Sequence, residues 1–181
     1  MKILIVSDIH GNYKNMSKVL KDNSSFDYLF ILGDVLAGDY DTEGYDPDKL
    51  ANLLNLNKDK ILAVKGNCDY YSEEMLDFIL NKGYITIDLD NKRFLLTHGH
   101  MYNYNNLPSN DFDILLFGHT HSPLMKIINK KLFINPGSIT YPRGLYNESY
   151  IIYENNKFKL IDLNSNKVLK EYDCLGDLNE N

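Results

Sequence analysis

The chain has 181 residues and a formal net charge of −6, from 25 acidic and 19 basic side chains. That length lets one domain bury roughly two-thirds of its unfolded surface without a metal staple or disulfide, while the acidic balance argues against general binding to nucleic acid or to an anionic membrane. No apolar run approaches the ~20 residues of a membrane span, and the two cysteines, Cys68 and Cys174, read as free thiols of a cytoplasmic, reducing compartment.

KILIV at 2–6 is the first expected strand, and its four-residue apolar run is too short for a secretory signal, which needs roughly seven to fifteen. Asn12 can cap a helix whose Met16, Val19 and Leu20 share one face. YLFIL at 28–32 is the next strand. Asp46 followed by Pro47 opens a second helix carrying Leu50, Leu53 and Leu54, and KILAVK at 60–65 is a third strand. Ser72, Glu73 and Glu74 predict a helix that stops at Gly83.

Beyond Gly83 the pattern becomes strand after strand: RFLLTH, DILLFGH, LMKII, KLFIN, SYIIY and KFKLI, with DLDNK, INKK and ENNK as hairpin turns. Together these elements predict an α/β fold, a two-sheet β-sandwich flanked by helices. One domain over residues 1–175 is expected, with 176–181 a frayed tail.

The histidines are not scattered. His10 follows the first strand, His98 and His100 follow RFLLT, and His119 and His121 follow DILLFG; Asp8, Asp34, Asn67 and Asp69 occupy equivalent strand-end positions. Open α/β sheets build their sites beyond the carboxyl ends of strands. One edge of the sheet therefore gathers imidazoles, carboxylates and a carboxamide, a donor set suited to divalent metals. Singly, each residue reads as a turn, a cap or a surface histidine; coincidence is the weaker account of all five histidines falling in three short motifs.

DIHGN at 8–12, GD at 33–34, GNCD at 66–69, THGH at 97–100 and GHTH at 118–121 resemble the successive motifs of the calcineurin-like metallophosphoesterases. The small size, NPGS at 135–138 and PRG at 142–144 resemble the YfcE-like phosphodiesterase branch of that family. The resemblance implies a sandwich of the αββα type that holds two divalent ions per chain, manganese first, with iron, zinc, nickel or cobalt as alternatives. Asp8, His10 and His121 would hold one ion, Asn67, His98 and His119 the other, and Asp34 would bridge them, with His119 and His121 on one side of an extended segment. A metal-activated hydroxide would then hydrolyse a small phosphodiester. His100 would stand beside the site as a catalytic or phosphate-contacting group. Cys68 takes the place of the leaving-group histidine of larger members, and Arg143 is a candidate substrate contact.

Two alternatives come with the resemblance: a non-catalytic scaffold of the same fold, similar to a retromer subunit, and a phosphomonoesterase. A homo-oligomer is compatible with both. LAGDYDTEGYD after Val35 and MYNYNNLP at 101–108 are candidate pocket walls. Their Tyr40, Tyr45, Tyr102 and Tyr104 could stack on a base, although with 14 tyrosines in the chain the plainer reading is solvent-facing loop residues.

Overall fold

The apolar runs become strands that stop where glycine and polar residues begin. The computed structural model describes residues 1–70 and 74–174. Its first half contains β1 (Lys2–Val6), α1 (Tyr13–Asp22), β2 (Tyr28–Ile31), α2 (Pro47–Asn55), β3 (Ile61–Val64) and a short β4 (Leu80–Asn81). There follow β5 (Tyr84–Leu89), β6 (Lys92–Thr97), β7 (Ile114–Leu116), β8 (Leu124–Ile128), β9 (Lys131–Asn135), β10 (Ser149–Glu154), β11 (Lys157–Asp162) and β12 (Val168–Asp173).

These strands form a seven-stranded sheet, β12-β11-β10-β1-β2-β3-β4, and a five-stranded sheet, β5-β6-β7-β9-β8. Each has a parallel centre: β1, β2, β3 and β4 in the first, β6, β7 and β9 in the second. The antiparallel hairpins turn through Asp90-Asn91, Asn129-Lys130 and Asn155-Asn156, all with positive φ. That left-handed pair matches the twist of the strands it joins.

Both helices start as the sequence indicates. The Asn12 side chain accepts from Asn15 N–H and that of Asp46 from Lys49 N–H, each satisfying a helix donor that has no partner within the helix. Met16, Val19, Leu50, Ala51 and Leu54 pack on the outer face of the seven-stranded sheet. The outer face of the five-stranded sheet is covered differently, by the chain between β6 and β7. Phe112 meets Phe133 there at 6.0 Å between ring centres, and Tyr104 meets Phe117 at 5.9 Å.

One expected helix does not form among the described residues. Of the segment read as a helix to Gly83, Ser72 and Glu73 lie outside the described residues, and the remainder turns and then enters β4. Leu76, Phe78 and Leu80 face the core while Asp77 and Ile79 face out, a period of two rather than 3.6. Lys65 N–H donates to Asn81 O and Asn81 Nδ2 donates to Ala63 O, so the sheet supplies bonds that a helix would otherwise have made. The expected frayed tail likewise lies outside the described residues. Cys174, just before it, is buried between the sheets.

The inter-sheet core is built around Phe94, which is fully buried and meets Tyr153 at 5.5 Å and Phe158 at 6.0 Å between ring centres. Removing that ring leaves a cavity that two hydrogen-bonded sheets cannot easily collapse. Phe94→Ala is expected to cost about 3–5 kcal/mol in urea unfolding; a cost below about 1 kcal/mol would contradict this packing.

Candidate metal centre

The parallel strands of the two sheets end on one side of the molecule, and the polar residues that follow them converge there. Asp8 and His10 follow β1, Asp34 follows β2, and Asn67 follows β3. His98 and His100 follow β6, and His119 and His121 follow β7. His10, Asp34, Asn67, Cys68, His119, His121, Tyr141 and Arg143 are among the residues lining an open cleft of about 420 Å³.

Three of the imidazoles are oriented by the backbone. The Nδ1 atoms of His10, His98 and His121 each lie 2.7 Å from a carbonyl oxygen, those of Ala37, Leu32 and Tyr141. A carbonyl can only accept, so each ring carries its proton on Nδ1, and a neutral ring presents a bare lone pair at Nε2.

Those lone pairs face other acceptors. His10 Nε2 lies 3.4 Å from His121 Nε2, and His121 Nε2 lies 3.2 Å from Asp8 Oδ1, a buried oxygen that accepts no hydrogen bond. His98 Nε2 lies 2.9 Å from Asn67 Oδ1 and 3.4 Å from Asp34 Oδ2, and that same Asp34 oxygen is 3.7 Å from His10 Nε2. The ligand atoms of Asp8, His10 and His121 form one compact group, and those of Asp8, Asp34 and His98 a second. Buried acceptors pointing at one another without a donor need a cation between them, and imidazole with carboxylate suits a divalent metal. The residues present fit such an ion.

The protonation behaviour has the same cause. Burial opposes charge on His98 and His121, but the carboxylates of Asp34 and Asp8 outweigh it and raise both pKa values above the ordinary range. Burial likewise opposes ionisation of Asp34; the His98 ring beside it, when protonated, and the Cys68 N–H bond overcome it and hold the carboxyl far below the usual value. His100 and His119 shift down, first through burial and then through the neighbouring imidazoles. The Cys68 thiol is pushed up to about 11 by burial and by the Asp34 carboxylate, so at neutral pH it keeps its proton.

His119 and His121 are not on an extended segment. Both have left-handed backbones, with φ of 66° and 58°, as do Asp8, His10 and Asp34. The two rings diverge as a result: His121 turns toward Asp8 and His10, while His119 lies 5.1 Å from His98 between ring centres, outside both compact groups. Gly118 is required just before them, because a Cβ there would fall 1.7 Å from Ser7 Oγ. His100 sits 5.3 Å from the His98 ring and stays largely solvent-accessible. Arg143 is exposed at the rim and makes no ion pair among the described residues.

NPGS braces these loops. Asn135 Nδ2 donates to Gly118 O, Ser138 Oγ donates to Asp8 O, and Thr140 Oγ1 donates to Ile9 O. Asp69 has a role that the sequence reading did not give it. Fully buried, it accepts from the backbone N–H groups of Asp34, Val35 and Gly66 at 2.7–2.8 Å, which fastens the loop after β2 to the loop after β3. Its place in GNCD was visible; its partners, backbone groups up to 35 residues away, were not.

Residues 1–157 match the calcineurin-like phosphoesterase superfamily domain. The chain belongs to that superfamily. Within it, the chain is 37% identical over 178 residues to phosphodiesterase YfcE of Escherichia coli K12, covering 94% of this chain and 97% of that protein. It is also 29% identical to the probable metallophosphoesterase YsnB of Bacillus subtilis, across 84% and 83% of the two chains. The solved structure of the phosphoesterase Yfce from E. coli superposes with a TM-score of 0.88 at 34% identity, over 95% of this chain and 98% of that one. Vacuolar Protein Sorting 29 from Cryptosporidium parvum, at 20% identity and a TM-score of 0.66 over 95% and 97% of the two chains, shares the fold.

Asp69→Asn replaces one of the oxygens that accept these three N–H groups with an NH₂ donor. The expected result is a loss of about 1–3 kcal/mol of stability from an unpaired buried donor. A fall of about 10- to 100-fold in Mn²⁺ affinity should accompany it, although Asp69 is not a proposed ligand. Urea unfolding and calorimetric Mn²⁺ titration measure the two; unchanged affinity would remove Asp69 from the support of the site.

Proposed function

We propose that the protein is a metal-dependent phosphodiesterase. The observation that carries this reading is the set of buried acceptors, Asp8 Oδ1 and the Nε2 atoms of His10 and His121, which face one another with no donor between them. In this proposal Asp8, His10 and His121 would hold one divalent ion and Asn67, His98 and His119 a second, with the Asp34 carboxylate available to either. Bound there, such ions supply positive charge to the phosphoryl oxygens and bring the pKa of a water near neutrality. Manganese is the first choice, since neutral imidazoles bind Mg²⁺ poorly. The name of YfcE, a phosphodiesterase, supports a diester substrate.

The remaining residues act on the substrate. Arg143 offers at the rim a guanidinium with no ion-pair partner among the described residues, suited to the forked geometry of phosphate oxygens. Cys68 holds a protonated thiol at the cleft, a weak donor toward a leaving oxygen. His100, with its pKa lowered, is neutral at pH 7 and contributes a hydrogen bond rather than a charge. Neither Cys68 nor Cys174 is in a disulfide, which suits the cytoplasm.

Asp34→Ala is expected to fold, to bind markedly less metal and to lose nearly all turnover of an aryl phosphodiester. Metal analysis beside turnover tests this, with the aryl monoester as the comparison that separates diesterase from monoesterase. The stripped wild type should be inactive and recover more activity with Mn²⁺ than with Mg²⁺. Normal metal content and undiminished turnover in Asp34→Ala would overturn the shared-carboxylate reading, and better rescue by Mg²⁺ would exclude the histidines as ligands.

Cys68→His puts a group of pKa near 6.5 where the thiol stands. Acid assistance of this kind is worth ~10²- to 10⁴-fold when well aligned. Turnover is expected to rise, more for poor leaving groups than for activated aryl esters, and by less than that range because nothing nearby orients a ring. Equal gains for both classes of ester would remove the acid role.

A further inference from the structure

Cys68 lines two cavities. One is the cleft of the candidate metal centre; the other, of about 350 Å³, is walled by Leu36, Tyr40, Tyr45, Pro47 and Met75 together with the backbone of residues 37–38. Cys68 is the one described residue common to both. The second cavity is lined mainly by apolar and aromatic side chains, unlike the cleft.

Its walls are built into the site. Ala37 O accepts the Nδ1 proton of His10, so the near wall is bonded to a candidate ligand. The Tyr141 hydroxyl binds Asp39 N–H at 3.1 Å and Thr42 Oγ1 at 2.6 Å, while Tyr141 O accepts the Nδ1 proton of His121. The Tyr45 ring lies against Gly11 so closely that a Cβ there would fall 2.2 Å from it. Tyr40 stands edge-on to Tyr45 at 5.1 Å between ring centres, yet is 85% exposed. A ring held at one edge with its surface open to water offers a stacking platform. Tyr102 and Tyr104 are used otherwise, packing on Tyr84 and Phe117.

We infer that the cavity of Leu36, Tyr40, Tyr45, Pro47 and Met75 receives an aromatic leaving group of the phosphodiester, an aryl or nucleobase-bearing alcohol, with Tyr40 as the specificity-determining contact. This rests on the diesterase reading for the position of the phosphate. The leaving side follows from Cys68, the cleft residue that also lines the cavity, whose S–H is a donor for an oxygen departing in that direction. A third cavity, of about 540 Å³, opens on the other side of Asn67 and is lined by Tyr70, Lys82, His100 and Met101. It is the competing destination for the ring.

The test has a binding arm and a turnover arm. Calorimetry on the Mn²⁺-loaded protein compares the monomethyl ester of benzylphosphonate, which cannot lose its ring, with the propylphosphonate analogue. The benzyl compound should bind more tightly, and Tyr40→Ala should remove about three- to tenfold of that preference, with Tyr40→Phe retaining it. In turnover, methyl phosphodiesters with an aryl or an equally acidic fluoroalkyl leaving group are compared. Tyr40→Ala should raise KM about three- to tenfold for the aryl ester and less than about twofold for the fluoroalkyl ester.

No benzyl preference, or one lost in Tyr70→Ala instead of Tyr40→Ala, overturns the pocket. Equal KM increases for both esters overturn its assignment to the leaving side. A parent protein that turns over no ester but shows a Tyr40-dependent benzyl preference would sink the diesterase reading and leave the pocket standing.

Discussion

The Nδ1 protons of His10, His98 and His121 are held by the carbonyls of Ala37, Leu32 and Tyr141, and the character of the site depends on where those protons are. An imidazole free to rotate or to exchange tautomers could satisfy Asp8 or Asp34 by donating to it, and the cluster would close on itself as an ordinary polar network. With Nδ1 committed to the backbone, Nε2 has only a lone pair to offer. The carboxylates then face nitrogen acceptors, and the whole group stays short of positive charge until a proton or a metal enters. The raised pKa values of His98 and His121 express that shortage in the metal-free protein.

The same site carries backbone cost. Asp8, His10, Asp34, His119 and His121 are all left-handed, at on the order of 1–2 kcal/mol each for residues with a Cβ. Elsewhere among the described residues, positive φ outside glycine is confined to the three hairpin turns and Asn166. The bonds around the site oppose relaxation of the strained loops. Asp69 fastens Asp34, Ser138 and Thr140 hold the carbonyls of Asp8 and Ile9, and Asn135 holds Gly118. Much of the polar sequence near the site thus serves to keep five uncomfortable residues in place.

How much of this was legible in the sequence varies by element. The sandwich and the strand ends that carry the site were readable because each central strand is a short apolar run with a glycine, aspartate or histidine within two residues of its end. β12 was missed because VLKEYD is mostly exposed at a sheet edge and has no apolar run to mark it. Residues 76–80 misled because they lie between a helix start signal, Ser72 with Glu73 and Glu74, and a stop signal, Gly83, whereas the edge of β3 offers hydrogen bonds that those signals do not register. The convergence of the histidines could be argued from their positions after strands. Their left-handed turns, and the divergence of His119 from His121 that follows, depend on Gly118 meeting Ser7, a contact between residues far apart in sequence. NPGS was legible only as part of the resemblance, and the fold shows that its Ser138 braces Asp8 and its Asn135 braces Gly118.

Both groups of candidate ligands draw from both sheets. Asp8 and His10 follow β1 of the seven-stranded sheet while His121 follows β7 of the five-stranded one; Asp34 and Asn67 belong to the first sheet while His98 and His119 belong to the second. The hydrophobic interior joins the sheets along their length; at this end the connection is polar, with His98 Nδ1 donating to Leu32 O and His119 N–H to Asp8 Oδ2 beside acceptors that face one another without a donor. A cation held here is therefore also a clamp between the layers, working as a cross-link would. By mass action its binding energy adds to the resistance of the folded chain to unfolding. Catalytic loading and closure of the sandwich at this end are then one event.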